Sequence, residues 1–295
     1  MVKAPGRLLV VATPIGNLAD LSPRAREALG GAAVVAAEDT RHTRALLQAM
    51  GIGTPLVSLH AHNEPQRVPE LLERLSAGED VALVSDAGTP LLSDPGFELV
   101  SRAARAGFAI HAIPGPSAIT AALAVAGLPT HRFCFEGFLP ARAAERRAAL
   151  ARLAHEARTL VFFEAPHRIR ETLADLATEF GADRQTVVAR ELTKAHETLY
   201  RGTLAELAAR AQREENFARG ELTLVVHGAA TALAAADGAE LRRTMEILLR
   251  ELPPGRAAAT AAQLTGATRA AAYALATRSG AESGRTAPPD DEEMP

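Results

Sequence analysis

Val84–Gly96 has the sequence Val-Ser-Asp-Ala-Gly-Thr-Pro-Leu-Leu-Ser-Asp-Pro-Gly, and this stretch decides which fold the chain can adopt. The stretch begins at the last residue of the apolar run Val81–Val84 and is followed by a helical pattern. Its glycines permit positive φ and its prolines fix φ, so the backbone of the loop is tightly prescribed. We expect Asp94 to be the N-cap of the following helix and Pro95 its first residue. A loop this constrained at the carboxyl end of a strand predicts a ligand site of an open α/β sheet, since an ordinary connection needs only about two to six residues.

Apolar runs of strand length alternate with helical patterns along the chain, and we expect the first helix to open at Ser22-Pro23. Five of the apolar runs lie in the first half, at residues 8–11, 33–36, 56–59, 81–84 and 109–113. Strands that are apolar throughout predict a mostly parallel sheet covered by helices on both faces. Four further runs, at 133–135, 159–163, 186–189 and 222–226, predict a second α/β unit.

These patterns predict four segments. We expect an α/β domain at 1–127, a second at 128–229, a helical module within 238–279 and a disordered acidic tail at 280–295. The module contains three short helical patterns with tight turns between them, which is typical of a helix-turn-helix. A small docking bundle without a nucleic-acid role fits the same pattern.

Composition limits the class of protein. The chain has 295 residues, of which 47% are hydrophobic, enough to build packed cores in about two domains. We find no apolar run of membrane-spanning length and no signal peptide, and Cys134 is the single cysteine, so we predict a soluble, cytoplasmic protein without a disulfide or a cysteine-based zinc site. Residues 281–295, which include five acidic residues and one arginine, account for the negative sign of the net charge of −3. Any polyanionic partner must therefore bind to local basic patches.

Three turns rich in Gly and Pro end predicted strands, at 14–16, 88–90 and 114–116. The first stands where a dinucleotide-binding fold has its G-x-G-x-x-G fingerprint, and that fingerprint is absent from the sequence, as is a G-x-x-x-x-G-K-[ST] phosphate loop. Ordinary nicotinamide and nucleoside-triphosphate enzymes are therefore disfavoured. In one sheet the three turns would line one rim and offer backbone N–H and C=O groups to a polar ligand.

Polar clusters follow other strands. In Glu38–His42 we expect Thr40 to cap a helix, which leaves Arg41 and His42 for function. His60, His62 and Glu64 have an i, i+2, i+4 spacing that could suit a metal, but satisfied loop residues are the favoured interpretation, and we predict no metal site. Clusters at 164–168 and 190–197 fit either function or a structural salt-bridge network. A basic helix carries four arginines that suit a solvated face or contacts to phosphates: Arg142, Arg146, Arg147 and Arg152.

Seven motifs stand together in the order of a known family. They are TPIGNL at 13–18, AEDTRH at 37–42, SDAGTP at 85–90, PGPS at 114–117, GFLP at 137–140, RELTK at 190–194 and GE at 220–221. With them, the chain closely resembles the ribosomal RNA small subunit methyltransferase I family of the tetrapyrrole methylase superfamily. The resemblance covers about residues 8–228, and the helical module resembles the family's C-terminal one.

The resemblance implies two α/β domains of the class III methyltransferase fold, with S-adenosylmethionine (SAM) in the cleft between them. It also implies a homodimer and 2′-O-methylation of a decoding-centre cytidine in the 16S rRNA of the 30S ribosomal subunit. Thr89 replaces the acid of the superfamily's S-G-D-P loop, so either flanking aspartate could meet the cofactor. Carried over by position, the cofactor residues are Pro14, Gly16, Asp86, Gly88, Thr89, Pro90, Asp94, Pro114, Gly115, Ser117, Ala118, Glu164 and Leu222.

Catalytic roles follow from the charge density after the strands. We expect Asp39 or Glu191 to accept the proton of the ribose 2′-hydroxyl, Lys194 to stabilise the developing alkoxide, and Arg41 and His42 to orient the RNA backbone. Two alternatives remain open: methylation of a tetrapyrrole on the same scaffold, and a non-catalytic RNA-binding adaptor that senses SAM. The basic helix and the helical module argue against the first, and the cluster Glu38–His42 against the second.

Overall fold

The computed structural model of the protein describes residues 4–229, 240–265 and 267–282. The described residues up to His227, apart from His155–Ala157, form one compact unit, and His155–Ala157 with the described residues from Gly228 onward form a second. Within the described ranges no helix is both long and apolar enough to cross a membrane. We predict a disordered tail at 280–295, but residues 280–282 belong to a helix, and residues 283–295 lie outside the described part of the chain.

The first sheet of the larger unit is entirely parallel, as predicted. Its strands are β1 (Arg7–Val11), β2 (Val34–Ala37), β3 (Leu56–Ser58), β4 (Val81–Val84) and β5 (Ala109–Ile113), in the order β3-β2-β4-β1-β5. The helices between and after them are α1 (Pro23–Gly31), α2 (Thr40–Ala49), α3 (Glu64–Ser76), α4 (Phe97–Arg105) and α5 (Ala118–Ala126).

Helices cover both faces of this sheet. Leu8 and Leu83 pack with α3 and α4, whereas Leu9 and Val84 pack with α1 and α2. Neighbouring residues of one strand therefore enter different cores, since side chains alternate across a sheet. This arrangement confirms the prediction made from the continuously apolar strands.

The second sheet is mixed. It is built from β6 (Phe133–Phe138), β7 (Thr159–Glu164), β8 (Gln185–Arg190), β9 (Thr198–Thr203) and β10 (Leu222–Val226), in the order β6-β7-β10-β8-β9. Only β6 and β7 pair in parallel; the other pairs are antiparallel. Its helices are α6 (Ala143–Leu153), α7 (Ile169–Phe180) and α8 (Leu204–Arg213).

The helix α5 joins the two halves of the larger unit. Ile119 and Leu123 pack on Val161 and Val225 of the second sheet, while the opposite face of that sheet is covered by α6, α7 and α8. The carboxyl ends of the first sheet's strands are therefore held against the second sheet by one apolar cluster, which also includes Ile15.

The described residues of the smaller unit form three helices. α9 covers 240–248, α10 is Pro254–Thr265 and α11 is Arg269–Glu282. Their shared core is made largely of alanines, among them Ala257, Ala261 and Ala272, with Leu241 and Met245 from α9. Small side chains let helices pack closely, and the module therefore has an apolar core of its own.

Two helix starts differ from the sequence prediction. α4 begins at Phe97 after Gly96, which has φ +110, so Asp94 is not its N-cap and Pro95 is not its first residue. α2 is capped by Asp39, whose side chain accepts from the Arg41 N–H, rather than by Thr40. By contrast, Ser22 caps α1 as expected.

Candidate functional site

The three Gly/Pro turns converge at the carboxyl end of the first sheet, as predicted. Thr13 and Gly88 exchange two backbone hydrogen bonds of 2.9 and 3.1 Å. The Thr89 hydroxyl donates to the Pro116 carbonyl at 3.1 Å. The turns after β1, β4 and β5 are thereby fixed to one another.

A cleft of about 410 Å³ lies between this rim and the second sheet. Such a volume lies in the range of roughly 300–1,000 Å³ that is usual for sites of small molecules. Gly88 has φ +81, and a Cβ there would stand 3.2 Å from the Ile15 side chain, so glycine is required at this wall. The first half contributes Ile15, Glu38, Asp86–Thr89, Leu92–Asp94, Ser117 and Ala118, and the second contributes Phe138, Phe163–Pro166 and Gly220–Thr223.

Three carboxylates crowd one side of the cleft. Burial raises the pKa of Asp94 to about 6, with the negative charge of Asp86 adding to the effect and a hydrogen bond with Ser85 opposing it. Burial also raises the pKa of Glu38, helped by the charges of Asp86, Asp94 and Asp39. This side of the cleft therefore favours a ligand that carries positive charge.

Asp39, Arg41 and His42 begin α2 beside these acids. The Asp39 N–H donates to Asp86 Oδ1 at 3.0 Å, which ties the start of the helix to the cleft wall. Hydrogen bonds from the Arg41 guanidinium and N–H hold the pKa of Asp39 well below its usual range, and the carboxylate pairs with Arg41 at 2.7 Å. Arg41 is highly exposed, so its guanidinium remains open to a further anionic partner.

Glu164 and Leu222 line the opposite wall, where they are cross-strand partners on β7 and β10. Glu164 is buried and its two carboxylate oxygens accept from the Ala165 N–H at 2.7 Å and the Thr172 hydroxyl at 2.5 Å. Arg168 lies 3.3 Å from the same carboxylate and donates to the carbonyls of Leu139 and Pro140. Glu164 therefore helps to hold the wall and is already fully engaged within the protein.

Glu191 and Lys194 form a compact ion-pair cluster with Glu221. Lys194 Nζ lies 2.8 Å from Glu191 Oε1 and 3.1 Å from Glu221 Oε2. Burial opposes the charged forms, but hydrogen bonds within the cluster prevail, so the pKa of Glu191 is lowered and that of Lys194 is raised. Both groups are therefore charged at neutral pH. Among the described residues, no hydrogen bond or ion pair joins this cluster to Asp39, Arg41 or His42.

Gly16 lets Lys194 cross from the second half to the first. A Cβ at Gly16 would stand 2.3 Å from Lys194 Cγ, and one at Gly115 would stand 3.1 Å from the Ala12 side chain. Gly16 and Gly115 therefore let neighbouring segments of the chain approach closely beside the cleft, and neither glycine lines it. Pro14, Pro90 and Pro114 are also not among the residues that line the cleft.

Several lining residues were not predicted individually. Phe138 and Phe163 contribute aromatic surface, while Ser93 and Leu92 come from the loop before α4. Leu91 and Ser93 have φ values of +74 and +78, a strained conformation for residues other than glycine. A pattern of apolar and polar residues cannot show that such side chains turn into a cleft.

Two interpretations of polar residues are corrected. Arg146 is 1% exposed and bonds to Asp175 at 2.7 Å and to Glu171 at 3.2 Å, so it belongs neither to a solvated face nor to a phosphate contact. His60 is not fully satisfied, because its Nδ1 is buried without a hydrogen-bond partner. In the described part of the chain no three His, Cys, Asp or Glu side chains are grouped as metal ligands would be.

Two family patterns match the chain. The family described as Tetrapyrrole (Corrin/Porphyrin) Methylases matches residues 7–208, and the one described as the RsmI C-terminal HTH domain matches residues 235–279. The first match spans most of the two sheets, and the second spans most of the three helices of the smaller unit.

Curated relatives match over most of the chain. Proteins named Ribosomal RNA small subunit methyltransferase I are 55% identical in Xylella fastidiosa (92% of this chain, 99% of the relative), 51% in Pseudomonas aeruginosa (91% and 95%) and 47% in Escherichia coli O157:H7 (92% and 94%). Among solved structures, cobalt precorrin-4 methyltransferase, a cobalamin biosynthetic enzyme, matches with a TM-score of 0.56 and 19% identity over 75% of this chain and 94% of its own. That likeness confirms the fold alone.

Proposed function

Because the chain belongs to the ribosomal RNA small subunit methyltransferase I family of the tetrapyrrole methylases, we propose that it methylates the ribose 2′-oxygen of a decoding-centre cytidine in 16S rRNA, with SAM as donor. The observation that carries the proposal is a preformed cleft with an acidic side, in a chain about half identical to relatives that bear this name over nearly their whole length.

The residues present fit SAM. Its adenosine and amino-acid parts are polar and its sulfur is positively charged, which suits backbone groups at Gly88 and Ser117 together with the carboxylates of Asp86 and Asp94. Small side chains at Ala87 and Ala118 leave the backbone accessible. When bound, SAM supplies the methyl group on its sulfonium sulfur.

The chain's own contribution is to align the acceptor oxygen with the methyl group inside the cleft. Lys194, which is held protonated between two carboxylates, supplies a cation that stabilises negative charge developing on the acceptor oxygen. Arg41 and His42, at the exposed start of α2, orient the RNA backbone.

The proton of the acceptor hydroxyl passes to a carboxylate. Asp39 and Glu191 both have lowered pKa values, so they are ionised but weakly basic and act chiefly as hydrogen-bond acceptors. Glu38, on the cleft wall, has a raised pKa because burial and the neighbouring carboxylates disfavour its charge, and this makes it a better-matched base.

The proposal extends to organisation and partners. The substrate is the small ribosomal subunit or its RNA, and the protein binds it as a homodimer in the cytoplasm. Residues 1–127 and 128–229 act as the two walls, and the module at 238–279 as an additional domain. Methylation of a tetrapyrrole and a silent SAM-sensing adaptor receive no support from the names of the relatives, which match nearly the whole chain.

One experiment separates these functions. Purified protein and SAM carrying a radioactive methyl group are incubated in three parallel reactions. The acceptors are 30S subunits lacking the modification, naked 16S RNA and a precorrin. Label that enters RNA and resists base removal supports ribose methylation. Label in the precorrin alone would support the tetrapyrrole function, and no label in any reaction would support the adaptor.

A further inference from the structure

Phe138 presents an aromatic ring to the cleft that no step above uses. The side chain is 55% exposed although it lines the cleft and ends a strand of the second sheet. Exposed aromatic rings at the edge of a nucleic-acid site are platforms on which single bases stack. We propose that Phe138 stacks on the base of the nucleotide that accepts the methyl group, an inference that rests on the proposed function.

The ring is supported from behind by other aromatic residues. Its centroid lies 5.6 Å from that of Phe163, which in turn lies 4.9 Å from that of Phe135. Ring centroids at these separations and tilts pack favourably. One part of the Phe138 ring is thereby held against the protein, while more than half of its surface remains available to a ligand.

The backbone on both sides of Phe138 is fixed as well. Gly137 has φ +66 at a register shift of β6, and a Cβ there would stand 3.0 Å from Ser93 Oγ of the opposite wall. On the other side, Arg168 donates to the Leu139 carbonyl at 2.6 Å and to the Pro140 carbonyl at 3.1 Å. The platform is therefore formed before any ligand arrives, which reduces the entropy cost of binding.

The position of Phe138 favours the acceptor base over the cofactor. Ala118 begins α5, which packs on β8 and β10, whereas Phe138 ends β6 at the outer edge of the same sheet. The cleft thus has two ends, and the adenosine of SAM is assigned to the end at Ala118. At the other end Phe138 is accompanied by Leu92, which is 37% exposed and comes from the facing wall. These two partly exposed apolar side chains suit the faces of a base whose ribose must reach the donor.

The test compares three substitutions of Phe138 with one control. Phe138→Ala removes the ring, Phe138→Leu keeps apolar bulk without an aromatic face, and Phe138→Tyr keeps the face. Phe133→Ala is the matched control, since Phe133 is 42% exposed at the other end of the same strand and does not line the cleft. Steady-state methyl transfer to RNA gives KM and kcat, and calorimetric titration gives the Kd for SAM without RNA.

We expect Phe138→Ala and Phe138→Leu to lower kcat/KM for RNA by about fivefold to about 150-fold, mainly through KM, which is the effect of losing one base–aromatic stack. The Kd for SAM should stay within about twofold of the wild-type value, Phe138→Tyr should restore transfer, and Phe133→Ala should match wild type. Unchanged RNA kinetics in Phe138→Ala, full activity in Phe138→Leu, or a weakened Kd for SAM would each overturn the platform. Absence of transfer by the wild-type protein would instead overturn the proposed function, and the two failures are therefore distinguishable.

Discussion

At the scale of single residues, Asp94 is a group on the cleft wall whose charge changes close to neutral pH. Its pKa is raised to about 6 by burial, so the carboxylate is ionised at pH 7.5 and mostly protonated at pH 5. An ionised carboxylate attracts the sulfonium of SAM, and protonation removes that attraction. We expect the Kd for SAM to rise about tenfold between pH 7.5 and pH 5.

The control for this pH dependence is Asp94→Asn. The variant should bind SAM more weakly at pH 7.5 and show a flat profile, because the amide does not titrate. S-adenosylhomocysteine, whose sulfur is neutral, should respond less to pH in the wild-type protein. A Kd for SAM that does not change over this range in calorimetric titrations would contradict the role given to Asp94.

Arg146 provides a second prediction for a single residue. Its guanidinium is 1% exposed and paired with Asp175, so Arg146→Ala leaves a carboxylate without its partner in a largely buried place. Removal of one member of such a pair costs about 3–5 kcal/mol of unfolding free energy. Arg147→Ala, one position along the same helix and exposed, should stay within about 0.5 kcal/mol. Urea denaturation measures both, and equal losses would be the contrary result.

The burial of Arg146 also illustrates what the sequence could not reveal. Four arginines at helical spacing predict a solvated face, and nothing in the local pattern separates Arg146 from Arg147. Its partners, Glu171 and Asp175, stand on the next helix of the chain. Burial of a charge depends on such distant partners, whereas the cap at Ser22 depends on neighbouring residues and was predicted correctly.

At the scale of elements, the convergence of the three turns could be predicted because parallel neighbours end at the same edge of a sheet. The start of α4 could not. Asp94 followed by Pro95 has the local signature of a helix start, but the Glu64 side chain accepts from the Gly96 N–H at 2.6 Å and Gly96 packs on Leu83. These contacts hold the chain in an extra turn, and Asp94 faces the cleft as a result.

Gly16 tests the contact between the turn after β1 and the loop after β8. A Cβ would collide with the stem of Lys194, so Gly16→Ala should destabilise the protein by about 1–3 kcal/mol and weaken the binding of SAM. Gly30→Ala is the matched control, since a Cβ there meets nothing within 4 Å and alanine favours a helix. It should leave binding unchanged and stability equal or slightly higher. Thermal unfolding and calorimetry decide the matter, and equal behaviour of the two variants would refute the collision.

At the scale of the whole molecule, the chain contains two units with separate cores. Among the described residues, those that line the cleft all belong to the larger one. Ala261→Asp buries a charge among the small side chains of the three-helix core, where Ala261 is fully buried, and should unfold that module. We expect limited proteolysis to cut within 240–282 while the Kd for SAM stays at the wild-type value. Loss of SAM binding together with the cleavage would show that the cleft depends on the module.

The order of strands in the second sheet has a consequence for biosynthesis. β10 is the last strand along the chain but the middle strand of its sheet, between β7 and β8. A growing polypeptide can pair β6 with β7 in parallel across α6, and β8 with β9 as a hairpin, yet these two pieces stay apart until translation has passed residue 226. A nascent chain that stalls before that point has no template to join them, so incomplete copies expose apolar edges to proteases and do not acquire a half-formed site.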